Sequence, residues 1–497
     1  MRATRGEDGK IRHLEPADYH GNPIDEKGSL VVTEWGRELC DFIYRTSGVT
    51  TTAILIRDMI LGLAGEFCEV FISTKPTSPM SADHRQEICL KSGDVMSHHA
   101  SNVFQDPDDG KNSKDSHSGE DVIRAIAFHL PQFHPIPEND KWWGKGFTEW
   151  TNVVRARPRF SGHYQPHLPA DLGFYDLRLP EARAAQAELA ASYGIHGFCF
   201  YHYWFNGRQV LERPVNEICK SGQPEFPFCL CWANENWTRQ WDGENAHVLL
   251  EQRYSAADDL AHIRRLIPLF LDRRYIRVAD RPLFLVYQAS RLPEPQQTTA
   301  AWRREAERAG LKGLFLVRVE SSSEEYDDPR DIGFDSSLEF QPRWSVLSCR
   351  IWRRKWWHRR RLRTGEPAFF DNAIFEYEEL VRNALAAPVP TYSRIPCVCP
   401  SWDNSPRRKH GATIFINSTP ETYERWLREV VNRRRAAITF SENSGITADS
   451  FVFINAWNEW AEGNHLEPCQ RWGRKYLEAT RRALETSTNQ SIEYVDR

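Results

Sequence analysis

The stretch FVFINAWNEWAEG, residues 451–463, begins as an apolar run and ends in a cluster of carboxylate, amide and indole side chains. A short continuous apolar run is typical of a strand that is buried on both faces, as strands of parallel sheets are. Six more runs share this pattern, at residues 123–129, 197–204, 226–232, 281–288, 313–320 and 395–400, and a less apolar candidate strand, DSSLEF, lies at 335–340. Helical patterns lie between most of them, at 181–193, 259–271, 300–309 and 421–434, and a last one covers 471–485.

Eight strand–helix units predict an α/β fold of the (β/α)8 TIM-like barrel type, with insertions. The alternative for alternating strands and helices is a doubly wound open sheet. That fold typically carries a glycine-rich phosphate loop after its first strand, and no such loop follows residues 123–129. The sequence therefore favours the barrel, which we expect to span residues 122–490 as a catalytic domain.

The first 121 residues have a different character. Residues 1–104 contain a candidate amphipathic helix at 33–44 and a candidate strand at 66–73, but no motif that we recognise. Residues 105–121, QDPDDGKNSKDSHSGED, are almost entirely polar and cannot bury enough apolar surface to order themselves. We therefore expect an N-terminal segment, a polar linker at 105–121 and then the barrel.

The bulk composition argues against several classes of protein. The chain has 64 Lys and Arg against 68 Asp and Glu, a net charge of -4, which gives no argument for nucleic acid as a partner. Residues 1–10 are polar with no apolar run behind them, which predicts no signal peptide. The eleven cysteines do not have the spacings of a disulfide framework, which predicts reduced thiols and a cytoplasmic location. The 18 tryptophans slightly favour a carbohydrate as the ligand, because indole rings suit the apolar faces of sugars.

Carboxylate, amide and aromatic side chains follow nearly every predicted strand at its carboxyl end, where barrel enzymes have their active sites. Sugar hydroxyls need such donors and acceptors, and sugar C–H faces stack on aromatic rings. Trp142, Trp143 and Trp150 suit either a loop core or a sugar platform. The predicted substrate-binding residues are His129, Tyr201, His202, Tyr203, Trp232, Asn234, Glu235, Asn236, Tyr287, Trp402, Asp403, Asn458 and Trp460.

Glu459 and Glu462 are the pair that we predict to be catalytic. Cleavage of a glycosidic bond needs one protonated and one ionised carboxyl group near the anomeric carbon. Three residues apart, the two side chains share one face if the chain turns after the eighth strand, with Cβ atoms about 5–6 Å apart. The competing interpretation is structural, because a glutamate at a strand end often pairs with an arginine, and Arg471 and Arg474 are close in sequence.

The sequence predicts no metal and no cofactor. His129, His134 and His202 lack the spacing of metal ligands, so we expect them to form hydrogen bonds. The basic insertion at 348–365, SCRIWRRKWWHRRRLRTG, has two interpretations. One is a solvated loop. The other is a contact with anionic lipid headgroups or a diphosphate carrier, which would give the protein a peripheral membrane position.

Six stretches of the chain also resemble a known family of proteins. They are residues 127–153, 165–177, 193–207, 226–243, 401–408 and 453–468, the last of which reads FINAWNEWAEGNHLEP. The chain is similar to the WbsX-type proteins, called glycosyltransferases in polysaccharide clusters, whose domain resembles the family 99 endo-α-mannosidases of the glycoside hydrolases. The resemblance covers most of residues 122–485 and none of 1–121.

The resemblance implies a (β/α)8 barrel and a retaining reaction without a carboxylate nucleophile. Matched onto this chain, the first glutamate of the motif is Glu459, which would act as a base on the sugar 2-hydroxyl and so form an anhydro-sugar. The second is Glu462, which would protonate the leaving oxygen and then activate water.

Three functions follow as hypotheses. The first is a carbohydrate-active enzyme that cleaves or transfers α-linked, mannose-like linkages of a glycan or lipid-linked oligosaccharide in cell-surface polysaccharide metabolism, such as that of lipopolysaccharide. The second is a nucleotide-sugar-dependent glycosyltransferase of O-antigen assembly, for which Asp327 and Asp328 are the nearest approach to a DxD motif. The third is an inactive glycan-binding barrel, against which the intact Glu459 and Glu462 pair argues.

Overall fold

A computed structural model of the chain describes residues 123–239, 244–347, 371–439 and 447–485, and the backbone of seven short strands before residue 91. The chain divides into two compact units, Met1–Asp115 and Ser116–Arg497, with the boundary inside the polar run at 105–121. The strands of the first unit are Ala3–Arg5, Ile11–His13, Tyr19–Asn22, Asp25–Leu30, Thr50–Ile56, Cys68–Thr74 and Ile88–Leu90.

In this first unit, Thr50–Ile56 pairs antiparallel with Cys68–Thr74 and parallel with Ile88–Leu90. Cys68–Thr74 overlaps the strand predicted at 66–73. The helix predicted at 33–44 lies outside the described residues, as does the polar run at 105–121.

Eight parallel strands form a barrel in the second unit, which confirms the predicted fold. Each strand pairs with the next one along the chain, and the last pairs with the first. The strands are β1 (Arg124–His129), β2 (Ile195–Phe205), β3 (Phe228–Trp232), β4 (Arg281–Val286), β5 (Phe315–Glu320), β6 (Ser336–Glu339), β7 (Arg394–Ile395 and Cys397–Val398) and β8 (Phe451–Ile454).

Pro396 divides β7 into two halves because proline has no N–H to donate to a neighbouring strand. The first half pairs with β6 and the second with β8. The Pro396 carbonyl oxygen still accepts a bond from the Phe453 N–H at 2.9 Å. The sheet is thereby nearly closed, and the carboxyl ends of its strands lie at one end of the barrel.

Helices occupy most connections between the strands. The helices are α1 (Pro137–Trp143), α2 (Glu149–Arg155), α3 (Pro180–Ser192), α4 (Arg213–Ser221), α5 (Ala256–Phe270), α6 (Pro295–Arg308), α7 (Tyr377–Ala386), α8 (Pro420–Thr439) and α9 (Lys475–Leu484). The five predicted helices correspond to α3, α5, α6, α8 and α9. Two 3-10 turns, Ser323–Glu325 and Pro329–Ile332, stand in place of a helix between β5 and β6.

Aromatic rings fill the barrel lumen. Phe128 stacks on Tyr201 with ring centroids 5.4 Å apart and meets the edge of Phe340 at 5.6 Å. Phe453 lies 5.5 Å from Phe128, and Tyr287 meets the edge of Phe340 at 5.3 Å. These contacts join β1, β2, β8 and the ends of β4 and β6 into one packed interior, which forms the floor beneath the carboxyl ends of the strands.

Cys229, Cys231, Cys397 and Cys399 are buried free thiols in or beside the barrel strands. Within the part of the chain that the structure describes, no helix is both long and apolar enough to cross a bilayer. The basic insertion at 348–365 lies outside the described residues.

Candidate active site

A cleft opens at the carboxyl ends of the barrel strands, where the sequence places the polar side chains. Its empty volume is about 1070 Å³, including the part open to solvent. Glu459 and Glu462 both line it. The other lining residues include Gln132, Asn139, Trp142, Trp143, Tyr201, Tyr203, Glu235, Asn236, Trp237, Tyr287, Phe340, Trp402, Arg407 and Asn455.

The two glutamates lie on one tight turn after β8. Glu459 ends the two-residue strand Asn458–Glu459, and Trp460–Glu462 form a 3-10 turn directly behind it. Residues three apart are eclipsed in a 3-10 turn, so both carboxylates point to the same side, as the spacing predicts. Gly463 ends the turn at φ 56, and a Cβ there would lie 3.0 Å from the Asp403 Cβ. Glycine fits both the left-handed backbone and the close approach.

Arg407 connects Glu459 and Glu462, the predicted catalytic pair, to a third carboxylate, that of Glu149. Its Nη2 lies 2.9 Å from Glu459 Oε2 and 3.1 Å from Glu149 Oε2. Its Nη1 lies 2.8 Å from Glu462 Oε1. We call Glu149, Glu459 and Glu462 the carboxylate trio. One guanidinium cation therefore faces three carboxyl groups in a largely buried setting.

The environment of the carboxylate trio favours the protonated form of its buried carboxyl groups. Burial, together with the other two carboxyl groups of the trio, raises the pKa of Glu459 to about 8 against the opposing effect of Arg407. Burial also raises the pKa of Glu149, which is fully buried. Although burial lowers the pKa of Arg407, the carboxylate trio raises it well above its usual range. A single cation cannot neutralise three anions, so the buried carboxyl groups of Glu459 and Glu149 keep raised pKa values beside Arg407.

Glu149 and Arg407 were absent from the predicted site. Glu149 is the first residue of α2, in the connection after β1, and its N–H donates to the Gln132 carbonyl at 3.1 Å. Arg407 lies in the 3-10 turn Ser405–Arg407 after β7. Both belong to stretches that resemble the family, GFTEW and SWDNSPRR, but neither directly follows a strand. The pattern of polar residues at strand ends therefore did not indicate either of them.

Six of the thirteen predicted substrate-binding residues line the cleft, and Trp142 and Trp143 line it as well. The six are Tyr201, Tyr203, Glu235, Asn236, Tyr287 and Trp402. Burial raises the pKa of Glu235, and the nearby Glu462 adds to that shift. Trp150 is buried instead, with its indole N–H donating to the Tyr175 carbonyl at 2.9 Å.

Four of the predicted residues lie outside the cleft because of the direction in which their side chains point. His202 alternates with Tyr201 and Tyr203 on β2, so it points outward, and its Nε2 lies 2.9 Å from His262 Nε2 on α5. His129 likewise contacts Gln186 on α3 at 3.2 Å. Burial lowers the pKa of both His129 and His202 to about 3, which keeps these rings neutral.

Trp232 and Asn234 are also part of the scaffold. The Trp232 ring packs against the His262 ring with centroids 4.5 Å apart. The Asn234 amide donates to the Gln288 carbonyl at 2.7 Å and accepts from its N–H at 2.8 Å. These bonds fix the loop after β3 to the end of β4.

Three further predicted residues support the catalytic turn from behind. Asp403 accepts bonds from His163 Nε2 and Gln165 Nε2, both at 2.6 Å, and its own N–H donates to the Glu462 carbonyl at 2.6 Å. Burial raises the pKa of Asp403, but the bonds from His163 and Gln165 lower it overall. Asn458 exchanges two hydrogen bonds with the Leu130 backbone, at 2.7 and 3.0 Å.

Trp460, the third of these residues, donates its indole N–H to Glu467 Oε2 at 2.6 Å and stacks on His465 at 3.8 Å. Glu467 is a buried carboxylate that the sequence analysis did not single out, and it also accepts a bond from the Tyr175 hydroxyl at 2.9 Å. Burial raises the pKa of Glu467 to about 7. These contacts hold the turn in one position.

Some buried polar atoms of the cleft have no hydrogen-bond partner among the described residues. Asn139 is 1% exposed, yet neither its amide nitrogen nor its oxygen has a hydrogen-bond partner among the residues that the structure describes. The Trp402 indole nitrogen and the Asn455 side-chain oxygen are likewise buried without partners. Buried polar groups are nearly always satisfied, so these atoms indicate where substrate hydroxyls or water would bind. Among the described residues, no group of three or more His, Cys, Asp and Glu could hold a metal ion.

Comparison with known proteins shows the family to which the chain belongs. The family model described as Glycosyltransferase WbsX matches residues 125–480. The chain belongs to the WbsX glycosyltransferase family. This membership confirms the resemblance and places the protein among carbohydrate-active families. The match covers the whole barrel, including the carboxylate trio and Arg407.

Two relatives of this WbsX-family chain are the uncharacterized proteins WxcX of Xanthomonas campestris pv. campestris, from strains B100 and ATCC 33913. Each is 47% identical over 359 residues, which is 72% of this chain and 49% of the relative. The chain thus spans about half the length of the curated relatives that it matches.

Similar solved structures include a glycoside hydrolase-like protein, with a TM-score of 0.46 and 12% identity, covering 74% of this chain and 95% of that one. The GH99 endo-α-mannosidase of Bacteroides thetaiotaomicron has a TM-score of 0.42 and 15% identity, covering 73% of this chain and 97% of that one. The same enzyme in complex with bis-tris propane has a TM-score of 0.43 and 14% identity.

Proposed function

We propose that the protein is a carbohydrate-active enzyme that cleaves or transfers α-linked, mannose-like glycosidic bonds in cell-surface polysaccharide metabolism. The observation that carries this proposal is the pair Glu459 and Glu462, side by side in a cleft with aromatic walls and held by Arg407. Two carboxyl groups in one cleft supply the acid and the base that glycosidic chemistry needs. Tyr and Trp rings supply platforms for sugar C–H faces.

In the proposed reaction, Glu459 accepts the proton of the sugar 2-hydroxyl, and the freed oxygen attacks C1 of the same sugar. The bond from C1 to the leaving oxygen breaks, and Glu462 gives its proton to that oxygen. Water or a sugar hydroxyl then attacks C1 of the anhydro-sugar and gives its proton to Glu462. The bond between C1 and O2 opens, and O2 takes back the proton from Glu459. The configuration at C1 is retained because it is inverted twice.

The carboxylate trio adds a requirement to this scheme. Glu459 must be ionised to accept a proton, whereas its pKa of about 8 keeps it largely protonated at neutral pH in the ligand-free cleft. A substrate that displaces water and places its 2-hydroxyl beside Glu459 can use the fraction that is ionised, and Arg407 stabilises that form. The proposal therefore calls for activity that increases toward alkaline pH.

A nucleotide-sugar-dependent glycosyltransferase is the second candidate, and the description of the family favours it. Purified protein incubated with α-mannosides, other glycans and sugar nucleotides, with products identified by mass spectrometry, separates the candidates. Products from glycans alone support the proposal, and their loss in Glu459→Gln ties them to this cleft. Products that require a sugar nucleotide overturn it in favour of the second candidate. Binding of glycans without any product overturns both and leaves a glycan-binding barrel.

A further inference from the structure

A second cavity lies beside the candidate catalytic cleft, and Trp402 lines both. Its empty volume is about 710 Å³, including the part open to solvent. Asp403 and Gly463 lie in its wall, and the Asp403 N–H donates to the carbonyl oxygen of Glu462. The cavity thus adjoins the backbone of the turn that carries the catalytic pair.

Arg471 supplies the cavity with a positive charge. Its guanidinium lies 4.6 Å from the ring centroid of Tyr164 and 5.2 Å from that of Trp472. Arg471 forms no salt bridge with any residue in the described ranges, although Arg474, three residues later, pairs with Asp171. A guanidinium oriented by aromatic rings keeps its N–H donors available to an anion.

Asp403, the carboxylate in the cavity wall, does not accept hydrogen bonds from the Arg471 guanidinium. Asp403 Oδ2 accepts from His163 and Gln165, and Oδ1 accepts from the Ser405 N–H at 2.9 Å. Its oxygens are therefore already satisfied from within the protein. Arg471 remains the cation of the cavity without an anionic partner among the described residues.

His167 and His465 give the cavity a neutral acceptor. His167 Nδ1 lies 3.1 Å from His465 Nε2, and His465 Nδ1 lies 2.9 Å from the carbonyl oxygen of Glu467. Burial lowers the pKa of His167 to about 4 and that of His465 to about 3, so both rings are neutral at neutral pH. Since a carbonyl only accepts, His465 donates through Nδ1, and its Nε2 accepts from His167. His167 Nε2 is then left as an acceptor, which suits a sugar hydroxyl.

We propose that this cavity is a second glycan subsite, which takes a sugar that carries an anionic group, either a carboxylate or a phosphate. Arg471 binds the anion, the rings of Tyr164 and Trp472 contact the sugar face, and His167 accepts from a hydroxyl. The subsite rests on the proposed function, because its sugar belongs to the same glycan that the catalytic cleft binds. It narrows the substrate class to an acidic polysaccharide.

Binding to the full-length protein tests this proposal without any turnover. Methyl β-D-glucuronide, glucose 1-phosphate and the neutral methyl β-D-glucoside are titrated against the wild type, Arg471→Gln and the control Arg474→Gln, with indole fluorescence and saturation-transfer NMR as readouts. We expect at least one charged sugar to bind about tenfold or more tightly than the neutral one, since bonds to a charged group are the strong ones. Arg471→Gln should abolish that preference, and Arg474→Gln should keep it.

The two charged probes distinguish a carboxylate from a phosphate as the natural group. Equal binding of all three sugars, or an unchanged preference in a folded Arg471→Gln variant, would overturn the subsite. Arg471→Lys keeps the charge but loses the planar fork, so it should bind with intermediate strength. Glu459→Gln should bind the charged sugars as the wild type does, which separates failure of the subsite from failure of the proposed catalysis.

Discussion

The guanidinium of Arg407 donates a hydrogen bond to the carboxylate of Glu459 at 2.9 Å, across 52 positions of sequence. The loop after β7 thereby controls the ionisation of a residue on the turn after β8. The same guanidinium reaches Glu462 and Glu149, so the carboxylate trio shares one counter-charge. Three of the predictions below depend on this arrangement.

Replacing either catalytic glutamate by glutamine should lower activity by about 10²–10⁴-fold, the usual cost of removing a positioned acid or base. Both variants should stay folded, because each substitution relieves repulsion within the trio and keeps the side-chain volume. A substrate with an acidic leaving group should partly rescue Glu462→Gln but not Glu459→Gln. Rates on activated and natural glycans, with thermal melts of each variant, check this. Near-full activity of both variants would contradict this assignment and leave Glu235 as the candidate, because it also lines the cleft.

The pH profile should identify the role of Glu459. Its pKa of about 8 means that the ionised form accumulates as pH rises through 8, so a base at this position gives activity that increases up to that pH. An acid at this position would give activity that falls over the same range. Glu149→Gln removes a neighbouring carboxyl group that raises this pKa, so the midpoint should move to lower pH. Glu181→Gln, on the exposed end of α3, serves as the control and should leave the profile in place.

Arg407→Met should destabilise the fold by roughly 3–5 kcal/mol at pH 8, because it leaves buried carboxylates without a counter-charge. The loss should be smaller at pH 5, where carboxyl groups with raised pKa values are protonated and need less compensation. Denaturant unfolding at the two pH values measures the difference. Arg408→Met is the matched control, since Arg408 forms no ion pair within the described ranges, and it should change stability little at either pH. Equal losses at the two pH values would contradict the shared-charge arrangement.

A chain that begins at Ser116 should fold by itself and melt in one cooperative transition. The boundary between the two compact units lies at this residue, and the barrel has its own closed sheet and core. Circular dichroism and calorimetry of the shortened chain check this expectation. An insoluble product, or a melt without cooperativity, would show that residues 1–115 are required for folding.

The basic insertion at 348–365 should contribute affinity for anionic membranes and no catalysis. Neutral replacements should lower binding to anionic liposomes at low salt, where charge attraction is least screened. Neutral liposomes are the control, and activity on a small soluble substrate should not change. Unchanged liposome binding would support a solvated loop. The residues to replace are Arg353, Arg354, Lys355, Arg359, Arg360 and Arg361.

The fold was predictable because most barrel strands are short apolar runs and most are separated by helical patterns. The orientation of Glu459 and Glu462 was predictable for a similar reason, because side chains three residues apart lie on the same side of a tight turn. The outward orientation of the His202 side chain was also predictable, because successive side chains along β2 point to opposite faces and Tyr201 and Tyr203 point into the barrel.

The sequence by itself determined the eight strands, the end of the barrel that carries polar side chains and the pair of glutamates on the last turn. These features are local, because a period of apolar residues or a spacing of three is contained within a few positions. Only the tertiary structure decided that Glu149 and Arg407 join that pair, and that Asp403 and Asn458 support it from outside the cleft. Closure of the barrel brings loops together that are far apart along the chain, and the loop conformations that orient these side chains leave no periodic trace in the sequence.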